Sequence, residues 1–154
     1  DVASLNTDAR ERAQSTLWLF SALFGPLRAT DLIPRYRLSF DSTLPGISLK
    51  ARWQPHAEPI WSGEFTVDMR SEGYRALAPL PPGRGVFVKV VKDLRGKAAV
   101  GHANKATKGR LVRDMVESGV EFATADELVA WLASRGWDCI TSPDTPDEVL
   151  LATG

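Results

Sequence analysis

The chain has a single cysteine, Cys139, among its 154 residues, only two histidines, His56 and His102, and no long hydrophobic run. One cysteine cannot close an internal disulfide, nor can it supply the several closely spaced thiolates of a structural zinc site. The two histidines show no H-x-x-x-H or similar spacing, so neither a metal nor a cofactor is expected. No apolar stretch approaches the ~20 residues of a bilayer-spanning helix. The first residues, DVASLNTDAR, lack the basic start and apolar stretch of a signal peptide, and the expectation is a cytoplasmic protein with no membrane partner. Also missing are the GxxxxGK[ST] and GxGxxG phosphate loops and any G-x-S-x-G elbow around Ser21 or Ser71. Nucleotide enzymes of the common types and hydrolase triads therefore have no support. There is no low-complexity tract and no internal repeat, and 44% apolar with 25% charged residues is the composition of a folded globular chain.

What is present is an uneven distribution of charge. The totals cancel, with 19 Lys and Arg against 19 Asp and Glu. Between Arg84 and Arg113, however, nine cations face one acid, Asp93, and from Asp114 onward nine acids face Arg135. A local basic block in a neutral chain points to a directed surface for an anionic partner. The competing explanation is that the two halves neutralise each other across the fold.

The local signals describe an α+β domain with a mixed sheet. Thr7 is the expected N-cap of a helix over about Asp8 to Ser15. The apolar run TLWLFSALFG reads as a strand ending near Ser21 or as a continuation of that helix, until Gly25 and Pro26 break it. Residues 27–38 form an exposed connection, and residues 41–63 are loops pinned by Trp53 and Trp61. EFTVDM is a strand and RSEGYRAL a short helix or turn. GVFVKVV is a β-rich run, with KDLRGK as a hairpin connection and AAVGH as its return strand. Two helices follow. Asn104 is the expected cap of the first, which ends near Gly119. Thr124 and Glu127 make a capping box for the second, which Gly136 terminates. WDCIT and EVLLA close the chain as a hairpin, with Cys139 and Trp137 on one core-facing side. One compact domain is expected.

The segment GHANKATKGRLVR carries the sharpest question, because a glycine inside a helix costs ~1 kcal/mol relative to alanine. At 100° per residue, setting Lys105 at zero puts Gly109 at about 40° and Arg113 at about 80°. These three make a basic, small, basic stripe, while Lys108 falls on the side of Leu111 and Met115. A glycine between two cations removes the side chain that would hold a phosphate away from the backbone. Lys105 and Lys108 also lie in the first turn, where the helix dipole favours anions. His102 and Arg110 flank the stripe. The alternative is a solvated face with Gly109 present for a close helix contact. A second basic surface is the loop of Arg28, Arg35 and Arg37, planar donors for phosphate, with Tyr36 among them as an aromatic able to stack. Asp31 is near enough in sequence to orient one arginine by a salt bridge.

These residues also resemble a known family. FSALFGPLRATDLIPRYRL is similar to the signature of the YaaA family of peroxide stress proteins, approximately L-S-G-L-Y-G-x-L-R-P-x-D-x-I-x-x-Y-R-L, with Ser21, Leu23, Gly25, Leu27, Arg28, Asp31, Ile33, Tyr36, Arg37 and Leu38 matching. VDMRSEGY resembles a second family segment at Ser71 and Tyr74. HANKATKGRLVR resembles a third, A-K-x-x-R-G-x-x-x-R, at Lys105, Gly109 and Arg113, with Lys108 where arginine is usual. Ala22, Phe24 and Ala29 replace the family's glycine, tyrosine and proline. The match corresponds to roughly the C-terminal two thirds of a member, and the expectation is a partial domain without the family's N-terminal part.

The resemblance implies a mixed α/β fold, a cytoplasmic role in limiting hydrogen peroxide damage by keeping free iron low, and binding to double-stranded or distorted DNA. In the family the glycine-containing turn has been likened to a helix-hairpin-helix. Here Ala22 and Pro26 weaken that likeness, since Pro26 has no amide hydrogen to donate. The expected DNA-binding or anion-binding residues are thus Arg28, Arg35, Tyr36, Arg37, His102, Lys105, Lys108, Gly109, Arg110 and Arg113, with Ser21, Gly25, Asp31, Ser71 and Tyr74 supporting. The alternative is an enzyme acting on a small phosphorylated or carboxylated substrate held by Arg28, Arg37 and Lys105; no catalytic residue is assigned.

Overall fold

The first helix starts one residue earlier than its sequence signals suggest. The computed structural model describes residues 2–61, 63, 65–94, 102–142 and 144–153. In it α1 spans Thr7–Thr16, and Asn6, not Thr7, caps it: the Asn6 side chain accepts from the Ala9 N–H at 2.8 Å. Both residues can cap, and the one in extended conformation just before the first turn does so.

The chain divides into two compact units, Asp1–Gly63 with Arg70–Leu80, and Glu64–Met69 with Pro81–Gly154. In the first unit the ambiguous apolar run is a strand. Leu17 leaves the helix in β conformation, and β1 (Trp18–Ser21) turns through residues 22–24 into antiparallel β2 (Gly25–Arg28), with Ser21 opposite Gly25 and Trp18 opposite Arg28. Residues 31–39 have no regular structure. The stretch read as loops contains a short helix, α2 (Leu49–Trp53), capped by Ser48, and two 3₁₀ turns, Gln54–His56 and Glu58–Trp61. These elements are too short to leave a periodic pattern. Their tryptophans do pin the unit. Trp53 packs with Ala22, Leu49 and Leu77, and Trp61 with Ala57, Ile60 and Ala78. The helix α3 (Glu72–Leu77) follows Ser71 at its N-cap.

The second unit is built on a four-stranded sheet in the order β3–β4–β6–β5, where β3 is Thr66–Asp68, β4 Gly85–Val91, β5 Cys139–Thr141 and β6 Glu148–Ala152. The first three are parallel and β5 pairs antiparallel with β6, so the closing hairpin is present. Strand β4 is buried along nearly its whole length, as an unbroken Val-rich run in a parallel sheet should be. Its Val86, Val88 and Val90 meet Val149 and Leu151 of β6 and, from the helices, Leu111, Leu128 and Leu132.

Those helices are α4 (His102–Ser118) and α5 (Ala125–Ser134). Asn104 does not cap α4; it lies inside the first turn, because the helix begins at His102. The expected return strand AAVGH lies outside the described residues except for His102, which is already helical. The chain crosses from β4 to β6 through both helices, which is how parallel neighbours are joined. The α5 capping box is present. The Thr124 side chain accepts from the Glu127 N–H at 3.2 Å, and the Glu127 carboxylate accepts the N–H of Ala123, one residue before the cap, at 2.7 Å. Cys139 faces the core as expected, its thiol against the Val129 carbonyl. The α+β class with a mixed sheet, hairpins and a C-terminal helix pair describes the fold.

Candidate functional site

On α4 the angular layout places the side chains well. Leu111 is fully buried, and Lys108 turns to the same inner side, its Nζ 5.1 Å from the centre of the Phe87 ring. Lys105, Gly109 and Arg110 are exposed. A Cβ at Gly109 would meet nothing within 4 Å among the described residues. Among the described residues, then, no close helix contact accounts for Gly109, and none of them covers the face above it. The opening is confined to the first two turns, since Val116, at about 20° on the same layout, is buried.

Acids from the C-terminal half answer part of the basic block. Arg113 pairs with Glu117 at 2.7 Å, and Lys89 with Glu148 at 3.7 Å. The Arg110 guanidinium lies 5.7 Å over the Trp137 ring, whose Nε1 donates to the Asp114 carboxylate at 3.0 Å. Arg110 thus has a platform that orients it without neutralising it. His102 opens the helix; its side chain lies outside the described residues.

The arginine-rich loop belongs to the first unit, and its members have separate tasks. The Arg28 guanidinium stacks 3.6 Å from the centre of the Trp18 ring and donates from Nη1 to the Ser15 carbonyl at 2.7 Å, strapping the hairpin to the end of α1. Asp31 makes no salt bridge with an arginine side chain among the described residues; its carboxylate accepts the backbone N–H of Arg28 at 2.8 Å, and its own N–H donates to the Arg28 carbonyl at 3.1 Å. A short carboxylate beside a turn satisfies the local backbone before it reaches a flexible guanidinium. Along residues 35–38, Arg35 and Arg37 are exposed while Tyr36 and Leu38 turn inward. No ion pair of Arg35 or Arg37 is found among the described residues.

The described contacts of Tyr36 are with Phe24 and Ser21. Its ring stands edge-on to Phe24, with centroids 5.4 Å apart, and its Oη lies 2.6 Å from the Oγ of Ser21. Ser21, buried at the end of β1, also accepts the N–H groups of Leu23 at 3.1 Å and Phe24 at 2.9 Å. Tyr74 joins this cluster from α3. Its ring is edge-on to Phe40 at 5.5 Å and Phe20 at 6.5 Å. Burial, then Tyr36 and Asp41, push its phenol above the ordinary range. Ser71 positions α3 through its backbone, its carbonyl accepting from the Arg75 N–H at 2.9 Å; its side chain makes no cap hydrogen bond.

Arg70 was not expected in this unit. It donates to the carbonyls of Ala78 at 2.7 Å and Tyr74 at 3.4 Å, tying down the C-terminal end of α3, and lies over the rings of Trp61 at 5.0 Å and Phe20 at 5.1 Å. Nothing in its spacing announces this, because its partners are backbone carbonyls and rings from elsewhere in the chain. Among the described residues, no group of three or more His, Cys, Asp or Glu is placed to hold a metal ion, and no helix is long and apolar enough to cross a membrane.

The result is an α+β protein with a hydroxyl and aromatic cluster in one unit and an open, partly neutralised basic helix in the other. The family model described as peroxide stress protein YaaA matches residues 1–139, and the chain belongs to that family. Among curated relatives, a UPF0246 protein of Streptomyces coelicolor is 41% identical over 147 residues, covering 90% of this chain and 56% of its own length. One from Corynebacterium efficiens is 38% identical over 123 residues, covering 75% and 50%. Another, from Corynebacterium glutamicum strain R, is 32% identical over 158 aligned positions, covering 98% and 63%. The chain thus spans between half and two thirds of the length of these relatives.

Proposed function

We propose that this chain supplies phosphate contacts to a cytoplasmic peroxide stress protein that binds double-stranded and distorted DNA and helps limit the damage done there by free iron and peroxide. The observation that carries this reading is the face of α4 where Lys105 and Arg110 are exposed on either side of a glycine with nothing above it among the described residues. A phosphate can approach such a backbone closely, and each neutralised phosphate contributes about −0.9 to the slope of log K against log salt. Arg35 and Arg37 add exposed cations from the first unit.

The test is binding of a labelled duplex and a four-way junction by fluorescence anisotropy across a salt series. The double variant Lys105→Ala, Arg110→Ala is expected to weaken both and to flatten the slope by up to about 1.8. Unchanged affinity and slope at low salt would overturn the reading.

A second reading, an enzyme acting on a small phosphorylated or carboxylated substrate, is favoured by one observation, the buried Ser21 hydroxyl in contact with a tyrosine. Stabilisation of the melt by a phosphorylated metabolite supports it, and no shift across a metabolite set at high concentration counts against it.

A further inference from the structure

The hydrogen bonds around Ser21 have a direction that the heavy atoms alone determine. A serine hydroxyl has two acceptor lone pairs and one proton. Both lone pairs of the Ser21 Oγ are taken, by the N–H groups of Leu23 and Phe24. The third contact, to the Tyr36 Oη at 2.6 Å, must then use the serine's own proton. Ser21 donates and Tyr36 accepts. The phenolic proton of Tyr36 is left over, and no acceptor for it is found among the described residues; in particular, no hydrogen bond joins it to Tyr74. The oxygen that carries it is fixed in place by Ser21, and the ring by its edge-on contact with Phe24.

We propose that Tyr36, oriented by Ser21, is a hydrogen-bond donor to an oxygen of a phosphate group, either in a nucleic-acid backbone or in a small phosphorylated molecule. The proposal rests on the phosphate-binding reading above and adds a neutral, directional contact to its cations. Arg35 and Arg37, next to Tyr36 in the chain, turn outward while its ring turns inward, so they draw a phosphate to this loop without sharing the phenol's contact. Ser21 is a positioning residue: it touches no ligand, and it sets where the phenol can point. Because Tyr36 is uncharged, its contact releases no counterion and leaves the salt slope alone.

The experiment compares wild type, Tyr36→Phe, Ser21→Ala and the double variant Lys105→Ala, Arg110→Ala, with duplex DNA and with inorganic pyrophosphate as probes. Tyr36→Phe keeps the ring and removes only the hydroxyl. It is expected to lower affinity by about tenfold to a hundredfold, the range of one lost hydrogen bond to a charged acceptor, at an unchanged salt slope. Ser21→Ala is expected to give a smaller loss, also at unchanged slope.

Because the chain contains only two tyrosines, wild type labelled with ¹³C at tyrosine Cζ gives two resonances. That of Tyr36, assigned from its absence in Tyr36→Phe or by elimination with Tyr74→Phe, is expected to move on adding the probe even if the Ser21 variant does not fold. A response to duplex alone assigns a nucleic-acid phosphate, and a response to pyrophosphate assigns a small ligand. If Tyr36→Phe binds both probes as wild type does while the cation variant is weakened, this inference is wrong and the phosphate-binding reading stands. If wild type binds neither probe, both are wrong.

Discussion

The Trp53 indole lies across Gly25: its Nε1 donates to the Ala22 carbonyl at 2.8 Å, and its ring comes within 2.5 Å of the position a Cβ on Gly25 would take. Gly25 also has a φ of 73°, in the left-handed region. The residue therefore does two things only glycine can do. It closes the three-residue turn of the hairpin that carries Ser21, and it makes room for the ring that clamps that turn. Gly25→Ala is expected to destabilise the first unit by about 2–4 kcal/mol, combining left-handed strain with overpacking. Urea denaturation followed by tryptophan fluorescence measures this, and a loss under 1 kcal/mol would contradict the clamp.

Gly109 is the opposite case. Nothing among the described residues requires it sterically, and it costs α4 helix propensity. Gly109→Ala should raise stability by about 0.5–1 kcal/mol. If phosphate does approach this face, the same change lowers duplex affinity. A variant that is both more stable and equally tight for duplex would show that the glycine is not kept for the ligand.

Arg113 is expected to add little to anion binding in the native chain, because Glu117 stands 2.7 Å from it on the next turn. Exposed pairs of this kind contribute only about 0.3–0.5 kcal/mol to stability, but they offset a local cation. Glu117→Gln should thus leave the melting temperature nearly unchanged while tightening duplex binding at low salt. Arg113→Ala should cost more affinity in the Glu117→Gln background than in the native one, and equal losses in both would show that the pair does not matter.

Two groups make alkaline pH destabilising. Burial, then Asp138, holds the Cys139 thiol above its ordinary 9.0. Burial, then Tyr36 and Asp41, holds the Tyr74 phenol above its ordinary 10.0. In both cases the unfolded chain releases its proton first. The stability these groups contribute is therefore complete below the ordinary values and is lost as pH rises past them through the folded values. Melting temperatures measured from pH 7 to 11 should fall above about pH 9. Tyr74→Phe should flatten the upper part of the fall and Cys139→Ala the lower part. A flat profile in the native protein would rule out the burial described.

Legibility along the chain followed the density of local signals. The β4 run and the α5 capping box were plain because their determinants lie within a few residues: consecutive β-branched side chains in one, and a threonine with a glutamate three positions on in the other. On α4 the angular layout gave the inward turn of Lys108 beside Leu111, but not the pairing of Arg113 with Glu117 or the burial of Val116 in line with the basic stripe. Asn104 misled, since a good capping residue is also tolerated inside a first turn, and Asp31 misled, since its carboxylate had a nearer partner in the backbone. Residues 41–63 stayed opaque because their helix and 3₁₀ turns are shorter than any period that could reveal them.

By itself, then, the sequence determined the secondary structure of its strongly patterned segments, the family it belongs to and the identity of its cations, because each is written in neighbouring residues. Only the tertiary structure decided what those residues do. It paired Arg113 with Glu117, left Lys105 and Gly109 open, committed Arg28 to Trp18 and Ser15, and brought the Tyr36 hydroxyl to a serine fifteen positions away. The reason is that hydrogen bonds and burial act over a few ångströms of space, whatever the distance along the chain, so a polar group's free capacity is known only once its neighbours have taken their share.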